Sequence, residues 1–478
     1  MLPDKQVAEQ NPRGQQDRRR PRLQEHPKGS LLRHGCDLGG RVSSASAAPR
    51  RRAAFGFIFA CALMNAVSFG VMIPVLPNLI KQFLGGDTAS AAQWTVVFAS
   101  VWGVMQMFCG PLLGMLSDRI GRRPVLLISL FGLGVDFVFM AFAPNIGWLF
   151  VGRVLNGLTA ASFASANAYV ADVTAPGERA RMFGWMGSAL SFGFLLGPVL
   201  GGALADINLR LPFLAAGGLT AVNWLYGVFI LPESLPPERR AANFDWRRAN
   251  PIASLGFLRG HGELLGLAGV GFLFQLAYTV GPTIFVLYGG YRYHWSPGSI
   301  GLAMMATGGL GVVVQTVLVG PVVARIGERG ALLLGAAAGC GAFALYGLAP
   351  TGWLYLAAAP VFAALSFFQP GLQGLMTARV TPREQGRLQG VGQSLQGLAS
   401  VLGPILFGVT FAWSIRHEAT LHSPGLAFFV ASALLAAAFA LAVKVARPAS
   451  ARTGGQGDHL DGDYLRLHPA FEPVADDR

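Results

Sequence analysis

From Phe55 onward the chain is a succession of apolar runs separated by short polar or Gly/Pro-containing breaks. A helical run of roughly 20 apolar residues crosses a hydrocarbon core of about 30 Å. About twelve such runs can be traced, at approximately 54–80, 94–116, 124–143, 147–171, 181–204, 212–231, 264–288, 299–324, 330–349, 352–377, 388–412 and 424–443. Lipid offers the backbone no hydrogen-bonding partner, so each run must satisfy its own peptide groups, and these runs predict helices rather than strands. The pattern predicts an all-α polytopic membrane protein. Composition agrees: of 478 residues, 53% are hydrophobic and 13% charged, with mean hydropathy +0.47. A soluble domain carries about 25% charged residues.

The net charge of +13 raises the question of nucleic acid, and its distribution answers it. Of 37 Lys and Arg, about 32 fall in the N-terminal arm, the C-terminal tail and alternate connections beginning with 117–123. The other connections hold only Lys81, Arg210, Arg292 and Arg416, and Arg153 lies within a run. This is the positive-inside pattern, which places both termini in the cytoplasm of an inner-membrane protein. The basic charge therefore reports topology and anionic lipid, with no nucleic-acid partner. Cys36, Cys61, Cys109 and Cys340 form no CxxC pair, and three lie inside apolar runs, so neither a disulfide framework nor a metal site is expected. Residues 1–52 are rich in Arg, Pro and Gln without an apolar core. They read as a disordered basic cytoplasmic arm rather than a secretory signal.

The chain repeats itself at a distance of about 206–210 residues. "GPLLGMLSDRIGRR" from Gly110 is answered by "GPVVARIGER" from Gly320, "TAPGERARMFG" from Thr174 by "TPREQGRLQG" from Thr381, and "LLGPVLGG" from Leu195 by "VLGPILFG" from Val401. Each copy holds about six runs, an even number, so the copies share one orientation in the membrane. The expected organisation is a six-helix bundle over 53–231, a polar, basic cytoplasmic linker over 232–263, a second six-helix bundle over 264–445 and a cytoplasmic tail over 446–478. Two parallel bundles facing each other across a cavity suit a rocker-switch transporter.

Three motifs carry the functional reading. The first, "GMLSDRIGRRP" from Gly114, gathers one Asp and three Arg into a connection of a chain that otherwise avoids charge. It resembles the loop signature of the major facilitator superfamily, matched here by Gly114, Leu116, Asp118, Arg119, Gly121, Arg122 and Arg123. Gly114 would permit close helix approach and Gly121 a tight turn. Asp118 can pair with Arg or cap a helix of the other half, while the arginines reach anionic groups. The resemblance implies a cytoplasmic gate that forms in one of two states, with Asp172 near the same boundary. Positive-inside charge alone would account for the arginines but not for the Asp or the glycines. The second motif, "LFVGRVLNGLTAA", resembles the superfamily's pattern around an intramembrane arginine, here Arg153 followed by Asn156. A mid-helix charge costs about 2.5–3.5 kcal/mol on insertion scales, so Arg153 should face the cavity with a partner, unless it snorkels to the interface. The third, "GFLLGPVLGG", contains Gly193, Gly197, Pro198, Gly201 and Gly202. A small-residue seam lets helices pack backbone to backbone, and Pro198 interrupts the hydrogen-bond ladder. Its spacing is similar to the superfamily's antiporter motif, which implies export.

With these in place, the chain from about 55 to 445 resembles the tetracycline efflux pumps of the twelve-span drug/proton antiporter family. The likeness includes "IPVLPNL", "AYVADVTAPGERAR", "LPES", "NPIASLGFLRG" and "YRYHW". It also carries departures. Where such pumps have a carboxylate in span one this chain has Asn65, and a His in span eight and an Asp in span nine are replaced by Gly311 and Gly339. Asp136 in span three is the acid that remains, about twelve residues into its run and near the midplane. That position suits a proton carrier, or a structural partner for Arg153. Gln106, Gln275 and Gln315, with Asn65 and Asn156, are the expected polar cavity residues. The resemblance implies proton-coupled export of a small hydrophobic or amphipathic compound by a monomer without cofactor. Proton-coupled uptake of a metabolite and a non-transporting membrane sensor are the rival readings. Catalysis has no support in the motifs: HExxH, GxSxG, CxxC and GxxxxGK[ST] are all missing from the sequence.

Overall fold

The computed structural model describes residues 47–159, 162–174, 176–240, 256–258, 262–381, 384–421 and 423–446, with backbone alone at 47–57, 162–164, 176, 180 and 421. The described residues from 49 onward form one compact unit, and of the preceding residues only 47 and 48 are described, in the first turn of a helix. The expected arm therefore yields its last residues to helix, because Ala47–Met72 is a single helix. The rest of the arm, most of the 232–263 linker and the tail beyond Ala446 lie outside the described residues.

Among the described residues there is no strand, and ten helices are long and apolar enough to cross a membrane. Two details reconcile ten with the expected twelve. The segment Pro297–Leu348 has 52 residues, which at about 1.5 Å per residue is more than twice a hydrocarbon core. It reverses at Gly327, whose φ of 72° and ψ of 171° break the helix, so it holds spans eight and nine. Span four is described as two shorter pieces, Ile146–Thr159 and Ser162–Val173. The remaining spans are one (to Phe83), two (Thr88–Ile120), three (Arg122–Phe142), five (Arg179–Ile207), six (Leu211–Ile230), seven (Gly262–Arg292), ten (Gly352–Thr377), eleven (Gln385–Arg416) and twelve (Leu426–Val445). Local chemistry sets several ends. Asp87 caps span two by accepting from the Ala89 N–H at 2.9 Å, and Ser296 caps span eight by accepting from Ser299 at 3.2 Å. Gly121, at φ 114°, makes the sharp turn from span two into span three.

Glycine decides how these helices pack. On span five, a Cβ on Gly193 would strike Ala66, and one on Gly197 would lie 2.6 Å from the Gly70 Cα, so this edge lies flush on span one. Gly201 meets the Val71 backbone in the same seam. The other edge faces the second half: Gly202 abuts the Pro297 carbonyl, and Gly301 of span eight abuts that of Pro198. Span eleven repeats the arrangement, with Gly403 against Thr279 of span seven and Gly408 against Val96 of span two. Gly197 and Gly403, like Gly202 and Gly408, are separated by the repeat distance of 206 residues. The sequence repeat is thus a repeat of contacts.

Contact between the halves fades along the membrane normal. Val96, Gly103, Met107 and Gly114 recur at seven- and four-residue intervals on one face of span two. Val96 is jammed against Gly408, while a Cβ on Gly103 would sit 3.0 Å from the Ser400 carbonyl. Met107 lies 3.6 Å from the corresponding point on Gly397, and Gly114 has nothing within 4 Å. On span five Gly202 is tightly packed and Leu195 lies 3.6 Å from the Cβ position of Gly309, but Gly187 and Gly184 meet nothing. The bundle is closed at the face opposite the 117–123 loop and parted at the loop face. At the closed face the Asp206 carboxylate accepts from the Gly298 N–H at 3.1 Å and the Ser296 hydroxyl at 3.3 Å, and Arg416 donates to Gln93 at 3.2 Å.

Candidate functional site

The loop cluster is built around Arg122. Its guanidinium pairs with Asp118, donates to Asp172 at 3.1 Å and donates to the Ser117 hydroxyl at 2.8 Å. A residue outside the sequence-derived set organises the turn. Glu233, from "LPES", accepts the backbone N–H of Arg122 at 2.8 Å and of Arg123 at 3.3 Å, satisfying the first donors of span three. A side chain at Gly121 would collide with that carboxylate, which gives the glycine a second reason beyond its φ. Arg123 donates to the Val228 carbonyl at 2.6 Å, Ser234 donates to Asp172, and Arg119 is exposed. Of the two roles open to Asp118, pairing with Arg or capping a helix of the other half, this conformation shows the first, within its own loop. One expectation needs correction for this conformation: Gly114 makes no close approach, because the halves are parted at this face.

The charged pair lies deeper. Asp136 is fully buried, and Arg153 is buried with its Nη1 3.9 Å from Asp136 Oδ2. The same nitrogen lies 3.2 Å from the Met72 sulfur. Trp102 donates to the Asn156 oxygen at 3.0 Å. Gly152 leaves room for the acid, since a Cβ there would stand 2.8 Å from Asp136 Oδ1. Spans one to four thus converge on one acid–base pair. Arg153 was expected to face the cavity; it is enclosed by the first half instead, and Asn156 belongs to its surroundings rather than to a cavity wall. Asn65 is also buried, and Gln106 is half-buried on span two.

Gln275 and Gln315, expected as polar cavity residues from the resemblance, lie together. Both line a cavity of about 580 Å³ formed by spans seven, eight and ten, with Phe274, Tyr278, Phe362, Ser366 and Gly311. Gln369 and Gln373 line it too, and a contiguous space of about 170 Å³ adds Gln389, Gln393 and Gln396 of span eleven. Sequence reasoning missed these five, although their spacing of three and four residues marks one polar stripe per helix. Gly339 is different: a Cβ there would strike Leu365 and Leu435, so that position is filled by core packing.

Two parallel six-helix repeats, a glycine-knit interface and an intramembrane acid–base pair define a multi-pass transporter fold, and the chain belongs to the Major Facilitator Superfamily, whose sequence model matches residues 58–404 and 284–470. Within it the chain is similar to tetracycline resistance proteins. It is 37% identical to the class C protein of Escherichia coli over 78% of this chain and 91% of that one. It is 35% identical to the class G protein of Vibrio anguillarum, over 73% and 88% of the two chains. Among solved structures, the nucleoside transporter NupG shares the fold with a TM-score of 0.68 at 15% identity, over 83% of this chain and 99% of that one. The human organic anion transporter MFSD10 (TETRAN) shares it with a TM-score of 0.61 at 24% identity, over 82% and 99%.

Proposed function

We propose that this protein exports a small hydrophobic or amphipathic compound in exchange for protons, by alternating access, in the manner of a tetracycline-type efflux pump. The observation that carries the reading is the separation of charge from cavity. The buried acid–base pair Asp136–Arg153 occupies the first half, and a roomy amide- and aromatic-lined space occupies the second. An acid held against a cation at bilayer depth can change its proton occupancy when its surroundings change, which is what coupling requires. Similarity to tetracycline resistance proteins and the GPxxGG spacing of span five support export over uptake. The loop face is cytoplasmic in this reading, with both termini and the linker on that side of the inner membrane, and the conformation described is inward-open. The protein works as a monomer, with protons and a small molecule as its partners.

The test is uptake of a compound panel, tetracycline included, into inverted membrane vesicles under an imposed proton gradient. Accumulation that collapses with a protonophore supports the reading. Gradient-driven loss of compound from the vesicles would identify a symporter, and the absence of flux for every compound would favour a sensor.

A further inference from the structure

We propose that the paired second-half cavities form a carboxamide-lined binding site that selects an uncharged planar aromatic compound bearing several hydroxyl or carbonyl groups. The proposal rests on the export reading above and names the substrate class and the selecting residues.

Three observations carry it. Among the described residues lining the two cavities there is no Asp, Glu, Lys, Arg or His, while seven are glutamine. An ion placed there would lose hydration without gaining a counter-charge, whereas each carboxamide supplies both a donor and an acceptor to a neutral polar group. Glutamine is itself costly within a membrane span, so seven converging side chains need a compensating role. Six of them, including Gln315, Gln369 and Gln373, are exposed to the open space rather than packed away.

The second observation is the aromatic wall. Phe274 stacks on Phe368 with centroids 4.0 Å apart and on Tyr278 at 5.9 Å. Phe274, Tyr278 and Phe362 all border the cavity, offering a flat ring an apolar face beside the amides. The volume of about 580 Å³ suits a drug-sized molecule.

The third is backbone irregularity at the same place. Span eight turns into a π-helix at Val314–Leu318, which carries Gln315, and span ten tightens into a 3₁₀ turn at Ala364–Phe367, which carries Ser366. A π-turn inserts a residue into the helix and re-aims the side chains around it, and such turns concentrate at functional sites. Gly311, one turn earlier, keeps the space between these two segments open, with the Ser366 hydroxyl 3.9 Å from where its Cβ would stand.

The experiment uses the purified full chain in detergent, with binding read by tryptophan fluorescence. Three probes share one ring system: a neutral dihydroxyanthraquinone, its sulfonate and a quaternary-ammonium derivative. The neutral probe should bind at least tenfold more tightly than either ion. Gln315→Ala and Gln373→Ala should each weaken it by roughly three- to tenfold, as expected for a lost neutral hydrogen bond. Gln315→Glu should reverse the preference toward the quaternary-ammonium probe, a gain that misfolding cannot produce. Asp136→Asn should leave binding of the neutral probe within about twofold while stopping gradient-driven transport. Equal affinity for all three probes, or unchanged binding in the alanine variants, would overturn the site. If binding follows these expectations while no proton-driven flux is found, the export reading fails and the site stands.

Discussion

Replacing Asp136 by Asn removes one partner of a buried ion pair and leaves the other without compensation. At the observed 3.9 Å, with an effective dielectric constant near 20, the lost attraction is about 4 kcal/mol. Breaking a buried pair from one side costs about 3–5 kcal/mol in general, which agrees. Asp136→Asn should therefore lower the thermal unfolding midpoint in detergent by several degrees. Arg153→Gln alone should do the same, because the carboxylate is then the stranded charge. The double variant should recover much of the loss, giving a coupling of about 4 kcal/mol or more in a double-mutant cycle. Transport separates structure from coupling: the double variant should be stable yet unable to accumulate substrate against a proton gradient in inverted vesicles. Strictly additive stability losses would show that the two side chains do not act as a pair. Gradient-driven accumulation in the stable double variant would show that the proton is carried elsewhere.

Other outcomes follow from the two faces of the bundle. Asp206→Asn weakens an exposed carboxylate clasp across the closed face, worth about 1 kcal/mol, so the outward-open population should rise roughly fivefold in spin-label distance measurements; an unchanged distribution would exclude a latch. Glu233→Ala strips the first donors of span three of their acceptor and should cost about 1–2 kcal/mol by thermal unfolding, whereas an unaltered midpoint would make the cap dispensable. Asp118→Asn should slow transport while expression and probe binding persist; a normal rate would remove Asp118 from the gate. A cysteine placed in the 232–263 linker should resist an impermeant thiol reagent added to intact cells, and modification there would invert the proposed topology.

The sequence by itself determined the architecture, because the cost of an unsatisfied backbone in lipid turns every long apolar run into a helix whatever surrounds it. It also made Asp136 and Arg153 stand out along the chain, since ionisable groups are conspicuous where nearly everything is apolar, whereas Gln275 and Gln315 were singled out only by the family resemblance. Proximity across the chain was beyond it. Glu233 lies 111 residues from the turn it caps, and no local pattern announces that a carboxylate after span six will serve the start of span three. Gly311 and Gly339 look alike in a string of small residues, yet one borders open space and the other is filled by Leu365 and Leu435. The conformational state was likewise a tertiary outcome. Gly114 and Gly202 are both glycines in small-residue seams, but only Gly202 touches the other half, because the two bundles meet at one face and part at the other. Local free energy depends on neighbours a few residues away and can be read along the chain, whereas the side on which two preformed bundles close depends on contacts between residues brought together only by folding.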